Sequence, residues 1–193
     1  MVHLTKVHSL TVAAITGRRT EEAPPEHWDD VLGSFDGYRL AAREALVKPP
    51  ETSLWSPFPR GEITIADWVR RMAHEAAIHR LDAESALAPD PATRFSPEFA
   101  SDGADEFLTF LTPARAPAST ADGLVRIATS DTGRSWTVRL TIGEFPEVTP
   151  QAEGTPDVTL EGAADDVYRA LWGRPHGATV TGSSGLLAPL AAP

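Results

Sequence analysis

The stretch "WVRRMAHEAAIHRLDAE", Trp68–Glu84, carries two histidines, three carboxylates and three arginines in a run without Gly or Pro. Thr64 precedes it, with Asp67 three residues on, an N-cap followed by a carboxylate that can complete it. The segment therefore reads as one helix. A helix turns about 100° per residue, so Glu75 and His79, four apart, stack on one face. A carboxylate oxygen and an imidazole nitrogen so placed can share a divalent ion at about 2.0–2.2 Å. His74 and His79 are five apart, about 140° around the helix, and do not face one ion together. This is not the H-E-x-x-H arrangement, whose histidines are four apart. A third ligand has to come from another helix, as in metal sites inside helical bundles. His3, His8 and His27 are the candidates, and His3 lies on a first helix that a short up-and-down bundle brings alongside. The spacing leaves a second reading open, a surface salt bridge of little energetic weight. Arg70, Arg71 and Arg80 are then solvated or bridging arginines, paired with Asp82 and Glu84.

Outward from this helix, composition narrows the classes. The chain has 193 residues, 41% apolar and 23% charged, which suits one large globular domain or two small ones. A formal charge of -10 argues against a nucleic-acid partner, because phosphate backbones are held by clustered Lys and Arg. No apolar run reaches the roughly 18 residues of a membrane span. "MVHLTKVHSL" lacks the apolar core and cleavage site of an export signal, so a cytoplasmic protein is expected. Cysteine is absent, which removes disulfides, thiolate ligands and a cysteine nucleophile; any thiol chemistry needs a thiol cosubstrate. The excess of Arg over Lys, with abundant Ala and Pro, points to a GC-rich genome.

Residues 2 to 16 contain no helix breaker and end at Gly17, a suitable C′ residue. "APPEHWDDVLGSFDGYRLAAREAL" opens with prolines and repeats Trp28, Val31, Leu32, Phe35, Ala42 and Leu46 at helical spacing. A fourth helix fits "SPEFASDGADEFLTFL", with Phe99, Phe107, Phe110 and Leu111 in its core. "TPARAPASTADG" then reads as a linker. Beyond it, "GLVRIAT" and "SWTVRLTI" alternate apolar and polar residues around "SDTGR", a hairpin turn carrying Gly133. "PDVTLEG" adds a strand, "AADDVYRALWG" a short helix with Val167, Leu171 and Trp172 on one side, and "GATVTG" a last strand. The expected order is a helical domain over 1–112, a linker over 113–122 and a small α+β domain over 123–193.

Taken together, "FPRGEITIADWVRRMAHEAAIHRLDAE" resembles the motif helix of the mycothiol-dependent maleylpyruvate isomerase family, R-x-A-H-E-x-x-x-H-R-x-D-A. Arg71, Ala73, His74, Glu75, His79, Arg80, Asp82 and Ala83 match it. "MVHLTKVHSLTVAAI" is similar to the family's H-L-x-x-V-H helix and "SDGADEFL" to its next helix. "VRIATSDTGRSWTVRL…PDVTLEGAADDVYRALWGR" is similar to its small C-terminal domain. The resemblance implies a DinB-like helical bundle followed by a sterol-carrier-like α+β domain. It also implies a divalent metal, usually zinc, held by His3, Glu75 and His79. Three protein ligands leave a position for an exogenous group. In the family that group is mycothiol, which adds reversibly to a cis double bond or is transferred to an electrophile. The implied partners are thus a small-molecule thiol and a small electrophilic or unsaturated acid, held by arginines.

Family members carry a further helix before H-L-x-x-V-H. Either the start is set too late in the sequence or the bundle lacks that helix; with the chain as it stands His3 is near a helix terminus, where a ligand is less firmly held. Ser183 stands where the family often has an acid. Two other functions remain in play: a binding or regulatory module that keeps the fold without turnover, and lipid carriage by the C-terminal domain.

Overall fold

Thr64 and Asp67 cap each other reciprocally. The Asp67 carboxylate accepts from the Thr64 amide at 2.9 Å and hydroxyl at 2.8 Å, while the Thr64 hydroxyl lies 3.3 Å from the Asp67 amide. From this cap the motif helix runs unbroken. In the computed structural model, which describes residues 2–16, 28–54, 63–88 and 93–190, it spans Ile65–Leu87 and is named α3. Before it come α1 (Val2–Thr16), α2 (Trp28–Ala45) and a two-stranded antiparallel pair, β1 (Ser53–Leu54) and β2 (Ile63–Thr64). The chain forms two compact units, Met1–Arg80 and Leu81–Pro193, whose division falls inside α3.

In the first unit, α1 and α3 are tied by buried polar contacts. The Thr11 hydroxyl accepts from Trp68 Nε1 at 2.9 Å and donates to the Val7 carbonyl, with Met72 Sδ 3.1 Å away. Trp68, Ile65, Ile78, Ala13 and Ala14 are buried in the same unit. Thr11 lies opposite Trp68 and Met72, and His3 lies opposite Glu75, so the two helices are antiparallel. The strict up-and-down order expected from the sequence needs correction at α2. The His8 ring packs on Phe35 at 5.2 Å, and Lys48, just past α2, donates to the carbonyl of Ile15 near the end of α1. The C-terminal ends of α1 and α2 therefore lie together, and both helices run against α3. Of the expected α2 core, Ala42 is buried and Phe35 and Leu46 are half-buried. Gly17 and the side chains of Trp28, Val31 and Leu32 lie outside the described residues.

The second unit starts with the end of α3. Helix α4 (Pro97–Glu106) is capped by the Ser96 hydroxyl, which accepts from the Phe99 amide at 3.3 Å, with Pro97 at its first position. It continues through a π turn, Phe107–Leu111, into α5 (Thr112–Arg115). Pro113 has no amide to give the Thr109 carbonyl, and both the amide and the hydroxyl of Thr112 reach back five residues to Phe107.

A five-stranded sheet follows, in the order β5 (Glu147–Thr149), β4 (Ser135–Leu140), β3 (Gly123–Thr129), β6 (Val158–Gly162), β7 (Thr179–Gly182). Its central pair, β3 and β6, is parallel and the other pairs are antiparallel. The β3–β4 turn holds Gly133 at φ +67°, as "SDTGR" implies. Strand β5 was not anticipated. Val125, Ile127, Trp136, Val138, Val158 and Leu160 are buried with Val167, Tyr168, Leu171 and Trp172 of α6 (Ala164–Leu171) and the residue after it.

The apolar face of α4, expected to join the helical bundle, packs on α6 instead. The ring of Tyr168 meets Phe95 and Phe99 edge-on, and Trp172 meets Phe107. Asp105 accepts from Arg134 at 2.7 Å and from Trp136 Nε1 at 2.8 Å, fixing α4 to the hairpin. Within the stretch expected as a linker, Thr112–Arg115 is helical and Ser119 is buried and bridged to Ile142. A 3-10 helix, Ser184–Leu190, closes the described chain.

Candidate metal centre

Three positions one turn apart on α3, Arg71, Glu75 and His79, form a single stripe, and the antiparallel α1 lays His3 over it. The Glu75 carboxylate is the hub. Its Oε1 accepts from His3 Nε2 at 2.6 Å and from His79 Nε2 at 3.1 Å, while its Oε2 accepts from Arg71 Nη2. The two imidazoles meet edge-on with centroids 4.8 Å apart. Glu75 and Arg71 are buried, their side chains only 5% and 2% exposed; His79 is 22% and His3 58% exposed. The site therefore has a dry floor on α3 and an accessible rim on α1.

Electrostatics follow from that arrangement. Burial alone drives the Glu75 carboxyl toward its neutral form. It is outweighed by the hydrogen bond from His79, the charge and hydrogen bond of Arg71, and the hydrogen bond from His3. Together these hold the group well below the usual carboxylate range. Glu75 is therefore an anion at neutral pH despite its burial.

One ligand atom from each of His3, Glu75 and His79 lies within 4.8 Å of the others, a group able to hold a metal ion. Two imidazoles and one carboxylate are donors suited to zinc. Ligand distances near 2.1 Å put the donors of a tetrahedral ion about 3.4 Å apart. The His79–Glu75 separation is already close to that, and the His3 side chain, more than half exposed, has room to move outward. In the absence of an ion both imidazoles donate Nε2–H to the carboxylate. To ligate through Nε2, each ring has to carry its proton on Nδ1 instead, so an ion selects the other tautomer.

The other residues singled out from the sequence lie elsewhere. His74 is buried and does not belong to the ligand group. His8 packs on Phe35; burial, and next the charge of Arg39, lower its pKa, with Glu75 opposing. His27 lies outside the described residues. His176 is exposed and its Nδ1 accepts from the Ala178 amide at 3.1 Å. Ser183 is exposed, and its amide donates to the Asp157 carbonyl. Asp82, expected to pair with an arginine of its own helix, takes a two-pronged bond from Arg174 at 2.7 and 2.8 Å. Glu84 accepts from the Thr93 hydroxyl. Arg71 is the residue that sequence reasoning undervalued. Its signal was the four-residue spacing to Glu75, the same interval that singled out His79.

The helical first part with a His–Glu–His cluster and the mixed α+β second part define a two-unit protein with a candidate metal centre in the first unit. Residues 98–189 match the family model of the MDMPI C-terminal domain. That domain is the C-terminal part of the maleylpyruvate isomerase family, and the match includes neither α1–α3 nor the three candidate ligands. No curated protein and no solved structure matches the chain.

Proposed function

We propose that the chain is a metal-dependent thiol transferase or isomerase of the mycothiol-dependent maleylpyruvate isomerase type, with His3, Glu75 and His79 holding one divalent ion, zinc by preference. The observation that carries this reading is the convergence of two imidazoles, one from each of two helices, on one oxygen of the Glu75 carboxylate. The domain match at residues 98–189 supports it independently. An ion bound there would supply an electrophilic centre that lowers the pKa of a low-molecular-weight thiol such as mycothiol and raises its thiolate fraction.

The chain's own residues set the conditions for that chemistry. Glu75 stays ionised without adjustment, because Arg71 and the two imidazoles already stabilise its charge. Burial of Arg71 and Glu75 excludes water from one side of the site, which strengthens every charge interaction within it. The exposed rim at His3 leaves access for a small thiol and a small electrophilic or unsaturated acid. With no cysteine in the chain, the thiol has to be a cosubstrate. The acting location is the cytoplasm, and no nucleic acid or membrane takes part.

Metal analysis of the purified full chain tests this reading: about one zinc per chain is expected, lost in Glu75→Gln and His79→Ala. The absence of a stoichiometric divalent ion in the unaltered protein at neutral pH would defeat it. The exposure of His3 favours a second reading, a binding or regulatory module with a weak site. That module would transfer thiol to none of a panel of electrophiles even when loaded with zinc.

A further inference from the structure

The two oxygens of Glu75 face different worlds. Oε1 is turned to the imidazole nitrogens of His3 and His79, at 2.6 and 3.1 Å. Oε2 is held by the guanidinium of Arg71, one turn earlier on the same helix, and both side chains are almost wholly buried. A guanidinium cannot shed its proton in a protein, so Arg71 is a permanent cation in a dry place and requires an anion beside it. A charge-assisted bond to Oε2 removes that oxygen from the set available to an ion and stops the carboxylate from turning. It also draws electron density away from the carboxylate. A purely structural ion pair inside a helix would do none of this, because nothing would depend on which oxygen was left over.

We propose that Arg71 is a positioning residue for the metal centre: it commits Glu75 to ligation through Oε1 alone and weakens its donation of charge, leaving a bound ion more electron-poor toward the incoming thiol. This rests on reading His3, Glu75 and His79 as the ligand set. Partners of this kind, one shell out from the ligands, change metal affinity by about 10- to 100-fold when removed. Arg71→Met removes the charge and the fork while keeping an unbranched side chain. Arg71→Lys keeps a cation but not the planar fork.

The test is X-ray absorption at the zinc edge on the full-length, zinc-loaded protein, with zinc affinity measured by competition against a chromophoric chelator. In the unaltered chain the carboxylate is expected to contribute one oxygen. In Arg71→Met both oxygens are expected to ligate, with zinc bound about 10-fold or more tightly, because the carboxylate regains the oxygen and the charge that the guanidinium held; Arg71→Lys is expected to fall between. Two-oxygen ligation in the unaltered chain overturns the proposal, and so do unchanged coordination and affinity in Arg71→Met. If Arg71→Met does not fold by circular dichroism, the spectrum of the unaltered chain decides, together with Arg71→Lys. The two failures are distinguishable. An unaltered chain that takes up no zinc defeats both readings; zinc lost in Glu75→Gln but indifferent to Arg71 defeats only this one.

Discussion

Two buried acid–arginine pairs at four-residue spacing among the described residues, Arg71–Glu75 on α3 and Asp165–Arg169 on α6, are finished differently. On α6, the acid accepts from Arg169 at 3.0 Å, from the Phe95 amide at 3.2 Å and from Arg94 at 3.3 Å. Arg169 also donates to the Thr93 carbonyl and lies 5.8 Å over the Phe95 ring. Arg94 is mostly exposed, but the Phe95 amide and the Thr93 carbonyl are backbone groups of the same unit. On α3, one oxygen of the acid goes to the arginine and the other to two imidazoles, one of them mostly exposed. Imidazoles can change tautomer to take an ion; a backbone carbonyl and amide cannot rearrange without unfolding. A buried charge pair is therefore not in itself a site. What marks one is acceptor capacity spent on groups that can let go.

Removing one member of each arrangement should separate the two roles. Asp165→Ala strands the Arg169 charge and the Phe95 amide, and breaking a buried pair in this way costs about 3–5 kcal/mol. The expected result is a large fall in the denaturation midpoint, with the folded protein keeping its zinc. His79→Ala should do the reverse: zinc is lost, while the metal-free protein changes by about 1 kcal/mol or less. Loss of zinc from folded Asp165→Ala protein would erase the distinction between the two pairs.

A smaller effect is expected at Gly182, in the "TGSSG" segment. It sits at φ +92°, and a Cβ there would press on the Asp157 carbonyl oxygen that receives the Ser183 amide. Gly182→Ala should cost about 1–3 kcal/mol from backbone strain alone. Calorimetry should assign the loss to unfolding of the sheet unit and leave zinc content unchanged.

How far such features could be read beforehand depends on how local they are. The α3 helix was legible because its cap, Thr64 and Asp67, and its unbroken run lie together in the chain. Glu75 and His79 were legible because four residues of helix bring them to one face. His3 was a candidate among three until the resemblance singled it out, since its place is set by Thr11 against Trp68, a contact across 57 residues. Arg71 was obscured by its neighbours: on an arginine-rich helix each arginine is expected to be solvated, and burial depends on what packs above. Phe99 and Phe107 announced an apolar face on α4, but periodicity cannot say which surface that face will cover. The parallel β3–β6 pairing and the short β5 edge likewise depend on distant partners.

The smallest expected effect offers a reporter for the α3 arrangement. His8 lies five residues along α1 from His3, and its pKa is lowered first by burial and then by Arg39, while the Glu75 anion raises it. Since the folded state resists protonating His8, the unfolded chain takes that proton first. The contribution of His8 to stability is therefore complete above its ordinary value of 6.5 and declines as pH falls from there through the lower folded-state value. Glu75→Gln removes the one opposing charge, so the His8 pKa should fall further. Zinc loading should lower it as well, because a divalent cation offsets the same carboxylate. Proton–nitrogen NMR of the His8 ring reads both shifts directly. A His8 pKa that rises on zinc loading, or ignores Glu75→Gln, would mean that Glu75 does not carry its charge toward the α1 rim, and the contrast with the closed pair on α6 would lose its electrostatic basis.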